Sequence, residues 1–192
     1  MEKLAARHAW ESLHKARNSH GKLVNAQSAG EAESAWSDFL YAAGRIYSKL
    51  EKGSKGHSKS EPWFGRVKNE RRTDALLSYI HHARNTDYHG IENVTERKLR
   101  LTLRGEKGAR LYGLVVDHGG QAHHHPLNTK VIAETTVGLQ LSLVIDDRFG
   151  DTFNPPESHL GKAIQDRTPK GISTLAMKYL ERLVRDGAEF TK

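Results

Sequence analysis

Residues 28–50, SAGEAESAWSDFLYAAGRIYSKL, decide what kind of core this chain builds. Ala32, Ala35, Trp36, Phe39, Leu40, Ala43, Ile46, Tyr47 and Leu50 recur at three- and four-residue steps. That spacing lines them up along one side of a helix of about 3.6 residues per turn. Ser28 followed by Glu31 is the signature of a capping box at its start, and Gly53 predicts its end. A face this apolar and aromatic has to be covered by other helices.

Working outward, the neighbours supply that cover. Residues 3–26 predict a helix whose stripe is Ala6, Trp10, Leu13, Ala16, His20 and Val24, weakened at Gly21. EKGSKGHSKSEP (51–62) is a polar loop. A short third helix is expected from Pro62, with Trp63, Phe64 and Val67 on its apolar side and Arg66, Lys68, Arg71 and Arg72 around it. At that spacing Trp63 and Phe64 suit a core better than base stacking. A fourth helix is expected from about Thr73, and the helical unit closes near residue 92.

The pattern then changes period. RKLRLTLRG (97–105) alternates Leu99, Leu101 and Leu103 with basic residues, as a half-buried strand does. ARLYGLVVDHG (109–119), TKVIAETT (129–136) and GLQLSLVIDDRFG (138–150) are three more strand candidates, and four successive strands suggest an antiparallel sheet. NPPESHLGK (154–162) reads as an irregular connection. Thr168 and Pro169 start a last helix that carries Ile172, Leu175, Ala176, Tyr179, Leu180, Leu183 and Val184 and stops at Gly187. The expected fold class is α+β: a helical bundle over 1–92, then an antiparallel sheet with a C-terminal helix over 93–192, packed as one unit with the bundle.

The chain has 192 residues, a net charge of +7 and twelve histidines, so its surface is basic and becomes more so below neutral pH. Polyanions are the favoured partners, nucleic acid ahead of membrane, since no basic amphipathic helix or lipidation motif is present. No stretch approaches the ~20 apolar residues of a membrane span. With no cysteine, disulfides and thiolate zinc sites are excluded and a reducing, cytoplasmic setting is the simplest fit.

The chemistry is concentrated in SYIHHARNTDYHG (78–90). Within it Arg84-Asn85-Thr86-Asp87-Tyr88-His89 has the form Arg-polar-x-x-x-His. This resembles the signature of the HEPN superfamily, helical domains of prokaryotic toxins, abortive-infection proteins and RNases. The order of two long amphipathic helices, a short one and the motif helix is similar as well, over about residues 1–92. The resemblance implies an HEPN-like bundle and a metal-independent endoribonuclease that works as a homodimer on RNA, without a cofactor. By the same resemblance Arg84, Asn85 and His89 are the catalytic set. His89 would move the proton of the ribose 2′-OH or of the leaving oxygen, Arg84 would hold the phosphate, and Asn85 would orient His89 or the substrate. Imidazole suits the first task because both its protonation states are accessible near neutral pH, and guanidinium suits the second. His81, His82, Arg71, Arg72 and Lys68 are the expected substrate-binding residues.

Helix geometry constrains this. On a straight helix His82, Asn85 and His89 share a face with His81 at its edge, whereas Arg84 lies about 140° from His89, in line with Leu77, Ile80 and Tyr88. A symmetric partner presenting its own copy would reconcile the two; otherwise the spacing argues against catalysis. The structural alternative has Arg84 snorkelling toward Asp74, Asp87 or Glu92 and the histidines forming a solvated or dimer-facing stripe. Three functions therefore compete. They are an RNA-directed domain or endoribonuclease of toxin or phage-defence type, a non-catalytic RNA- or nucleotide-binding or dimerisation module, and a structural protein whose partner is another protein through the exposed sheet. A protein partner or an antitoxin is a further expected partner.

Other clusters carry less. His118, His123, His124 and His125 are expected in a turn; adjacent residues on a strand point to opposite sides, so no metal site is assigned. Lys98, Arg100, Thr102 and Arg104 share a strand face that suits solvent at least as well as a phosphate track. Ser158 and His159 have no third member for a nucleophilic triad.

Overall fold

The computed structural model describes residues 1–89, 93–105, 112–116, 122–125, 131–145 and 150–191, with backbone only at 88, 89, 99–105, 112–116, 122–125 and 131–137. The chain forms two compact units, Met1–Glu96 together with Gln140–Lys192, and Arg97–Leu139. The first contains five helices: α1 (Lys3–Asn25), α2 (Ala29–Ser54), α3 (Ser60–Thr73), α4 (Ala75–His89) and α5 (Pro169–Glu189). With the paired strands described below, the fold class is α+β.

Helix α2 is the central element. Trp36, Phe39, Leu40, Ile46 and Leu50 are fully buried, as their spacing requires. Its start departs from the expected capping box in one detail: Ser28 Oγ accepts the Glu31 N–H (3.2 Å), but the Glu31 carboxylate takes the N–H of Gln27 (2.8 Å). Gly53 does not end the helix. It lies where the start of α1 crosses α2, the Glu2 N–H bonds its carbonyl (2.9 Å), and a Cβ there would collide with the Ala5 side chain. The same correction applies to Gly187, which lies within α5 beside Leu50 and Trp63. Both glycines serve close approach between helices rather than termination.

Helix α1 turns Ala5, Ala6, Ala9, Leu13, Ala16 and Leu23 inward, small side chains that let it lie close to α2. Trp10, expected in that stripe, is 45% exposed. Helix α5 starts as expected, with Thr168 Oγ1 accepting the Gly171 N–H (3.3 Å) and Pro169 in the first turn. Its apolar face closes the core, and Arg17–Glu181 (2.7 Å) and His20–Ser173 (2.9 Å) tie it to α1. Phe64 and Val67 of α3 are buried, and Trp63 packs on Phe190 with ring centroids 5.3 Å apart, so these aromatics are core.

Arg97–Leu139 holds most of β1 (Thr95–Gly105) and β4 (Val131–Leu141), which pair, and β2 (Tyr112–Val116) antiparallel to β3 (Ala122–His125). Among the described residues the strands form two-stranded ribbons instead of one continuous sheet. Gly138 is carried inside β4, where the neighbouring Lys98 carbonyl leaves room for it, and does not separate two strands. His123–His125 belong to β3 and not to a turn; His118 lies outside the described residues. In the helical unit, β5 (Val144–Ile145) pairs antiparallel with β6 (Thr152–Phe153). The stretch expected to be irregular folds into a hairpin of β7 (Ser158–His159) and β8 (Lys162–Ala163).

Candidate anion-binding site between α3 and α4

Helices α3 and α4 are joined through one residue, Asp74, and the junction sets their mutual phase. The Asp74 N–H continues the α3 ladder to the Glu70 carbonyl (2.9 Å), while its Oδ1 caps α4 by accepting the Leu77 N–H (2.9 Å). On α3, Gly65, Lys68, Asn69 and Arg72 follow an i, i+3, i+4, i+7 course, with Arg71 at the edge; on α4, Ser78, His81 and His82 do the same. Those two polar faces line one groove of about 550 Å³.

Its chemistry is one-sided. Lys68, Arg71 and Arg72 supply three cations, His81 and His82 two imidazoles, and among the described residues no carboxylate lines the wall. Lys68 is held by Glu51 (3.3 Å), Arg72 by the Asn69 side-chain oxygen (3.3 Å), and the Arg71 guanidinium lies 4.9 Å above the Tyr47 ring. His82 is stacked flat on Phe153 at 3.6 Å, and His81 meets His82 edge-on at 5.1 Å. The groove is open above Gly65, where a Cβ would meet nothing within 4 Å. A larger groove of about 1030 Å³ along α3 and α5 has Glu70 and Asp186 in its wall, so of these two grooves the smaller suits anions better.

All five expected substrate-binding residues thus come together. The expected catalytic residues are placed differently. Arg84 turns toward α2, where a Cβ at Gly44 would lie 3.0 Å from its Nε and 3.3 Å from its Cδ and Cγ. Its Nη1 donates to Asn85 Oδ1 (3.0 Å), and both residues are half-buried. Asn85 continues the groove-facing course of α4 by one turn. His89 is the last residue of α4, and its side chain lies outside the described residues.

Two other motif positions are structural. Thr86 donates to the Ile145 carbonyl (2.9 Å), and Asp87 accepts from Ser37 of α2 (3.0 Å). Burial pushes the Asp87 carboxyl above the ordinary carboxylate range, and the Ser37 bond draws it partway back. Earlier on the same helix, buried Tyr79 donates to the Ser142 carbonyl (2.8 Å), anchoring the segment that leads into β5. Sequence reasoning passed over Gly65, Asn69 and Ser78, although the helical phase they share with Lys68, Arg72 and His82 marks them.

Among the described residues, no helix is long and apolar enough to cross a membrane, and no group of three potential metal ligands forms. Comparison with known proteins finds no family model, no curated protein and no solved structure that matches this chain.

Proposed function

We propose that this chain is an RNA-directed domain of HEPN type, and that the α3–α4 groove takes the phosphates of an RNA strand. The observation that carries this is the convergence of Lys68, Arg71, Arg72, His81 and His82 on one wall that no carboxylate among the described residues lines. Lysine and arginine cations gathered on one wall favour the successive phosphates of a strand. Arginine side chains braced by neighbours, as Arg71 and Arg72 are, lose less freedom on binding than free ones.

Cleavage is the finer reading, favoured by one arrangement. Asn85 continues the groove-facing course and accepts a hydrogen bond from the Arg84 guanidinium, which puts two motif residues next to each other one turn beyond His81 and His82. In this reading a homodimer completes the site with His89 of either copy.

The test is titration of a fluorescent single-stranded RNA at several salt concentrations. Binding should weaken with salt, and Lys68→Gln combined with Arg72→Gln should flatten the logarithmic salt slope by about 1.4, roughly 0.7 for each lost phosphate contact. Salt-independent binding, or an unchanged slope in the double variant, would overturn the assignment. The same RNA, run on a gel with wild type and His89→Ala, separates binding from cleavage.

A further inference from the structure

We infer a second site, a small-molecule cavity at the β7–β8 hairpin that takes an organic anion: a carboxylate or phosphate monoester carried on an apolar body. The cavity, about 270 Å³, lies between this hairpin and α5. It lies just below the roughly 300–1,000 Å³ usual for ligand pockets, which suits a single-ring molecule.

Its inner wall contains a histidine oriented by a carboxylate. His159 and Asp74 are 11% and 8% exposed at the side chain, and His159 Nδ1 stands 2.9 Å from Asp74 Oδ1. An ionised carboxylate can only accept, so Nδ1 carries a proton toward Asp74. Nε2 then donates to an anion's oxygen only when the ring carries both protons, or accepts from a ligand's O–H when it carries one. The second oxygen, Oδ2, accepts the Leu160 N–H (2.6 Å), and Leu77 also donates to Oδ1, so Asp74 is held from three directions. Among the described lining residues the other charged groups are cationic: Lys162, Lys178 and Arg182. Arg182 lies 5.1 Å over the ring of Tyr179, whose hydroxyl is fixed on Glu70 (2.7 Å).

The apolar half of the cavity contains the more unusual feature. The hairpin turns through Leu160 and Gly161, with φ of 48° and 76°. Both central residues of such a two-residue turn need positive φ, where asparagine and glycine are at ease and leucine is strained. Leu160 is nevertheless 41% exposed and faces the cavity alongside Ile164 and Leu175. Strain and an exposed apolar side chain at one position are both explained if that side chain covers the ring of a ligand. Both walls of the cavity pair apolar with cationic residues, Leu160 with Lys162 on the hairpin and Leu175 with Lys178 and Arg182 on α5, which suits a ligand that is part ring and part anion.

The experiment is NMR titration of the full-length protein, labelled with ¹⁵N, with benzoate, phenyl phosphate, inorganic phosphate and phenol. Benzoate or phenyl phosphate should saturably shift the His159 ring nitrogens and the Leu160, Lys162 and Ala163 amides, and whichever of the two binds tighter identifies the anionic head. Inorganic phosphate and phenol, each lacking one half, should bind at least about tenfold more weakly. Lys178→Gln with Arg182→Gln, both exposed positions that leave the fold intact, should weaken the better ligand by about tenfold or more. Leu160→Asn, which relieves the turn strain, should weaken it while raising stability. Absence of saturable shifts with both aromatic anions, equal binding of phenol, or unchanged affinity in the double variant would each overturn the inference. RNA binding at the α3–α4 groove is read separately, so either assignment can fail alone.

Discussion

Gly44 of α2 and Gly65 of α3 are both glycines inside helices that α4 passes, and they do opposite things. At Gly44 the missing side chain is filled by Arg84, whose arm runs across the gap; at Gly65 the space stays empty and becomes the floor of a basic groove. One residue type therefore marks a tight contact on one side of α4 and an opening on the other. Neighbours, and not the glycine, decide which. The arginines divide in the same way: Arg71 and Arg72 stand in the open wall, while Arg84 is half-buried against α2.

The comparison can be broken most forcefully at Gly44. Gly44→Leu should displace Arg84 and cost about 1–3 kcal/mol by overpacking, read as a lower midpoint in urea. An unchanged midpoint would mean that the arm swings away freely and that the tight side is not tight. Tyr79→Phe sharpens the same side. It leaves the buried Ser142 carbonyl without the tyrosine donor, and should cost about 1–2 kcal/mol in the same assay.

On the open side the sign reverses. Gly65→Ala should stabilise the protein by roughly 0.5–1 kcal/mol, since a helix-interior glycine is replaced and nothing is struck. Gly65→Phe should keep the fold and lower RNA affinity by filling the groove; full binding by that variant would separate the groove from function.

The smallest effect is expected at Asp87. Its folded-state carboxyl titrates above the unfolded value of 3.8, so the contribution it makes is present below that value and is lost as pH rises through the folded one. Asp87→Asn, which can still accept from Ser37, should raise the thermal midpoint slightly at neutral pH. The difference should disappear in acid. A variant less stable than wild type at pH 7 would show that the Ser37 bond outweighs burial.

Periodicity was enough for α2 and α5, because a buried helix face is a property of consecutive residues. It placed Trp10 wrongly, since α1 meets α2 through alanines that a search for large apolar residues passes over. It read Gly53 and Gly187 as ends because the reason for each, an alanine of α1 in one case and Leu50 with Trp63 in the other, lies far away in the chain. The groove was half legible: the cations and histidines were evident as types and phases, but their facing one another depends on the turn at Asp74. The His159–Asp74 pair was not legible at all, for its members are separated by 85 positions.

By itself the sequence determined which faces of the helices are apolar, where the cations and imidazoles sit on them, and that helices give way to strands after the fourth. These are local consequences of side-chain order. Only the tertiary structure decided which polar faces meet across a gap and which are tied down, because that depends on how neighbouring elements fill or leave the space beside each residue.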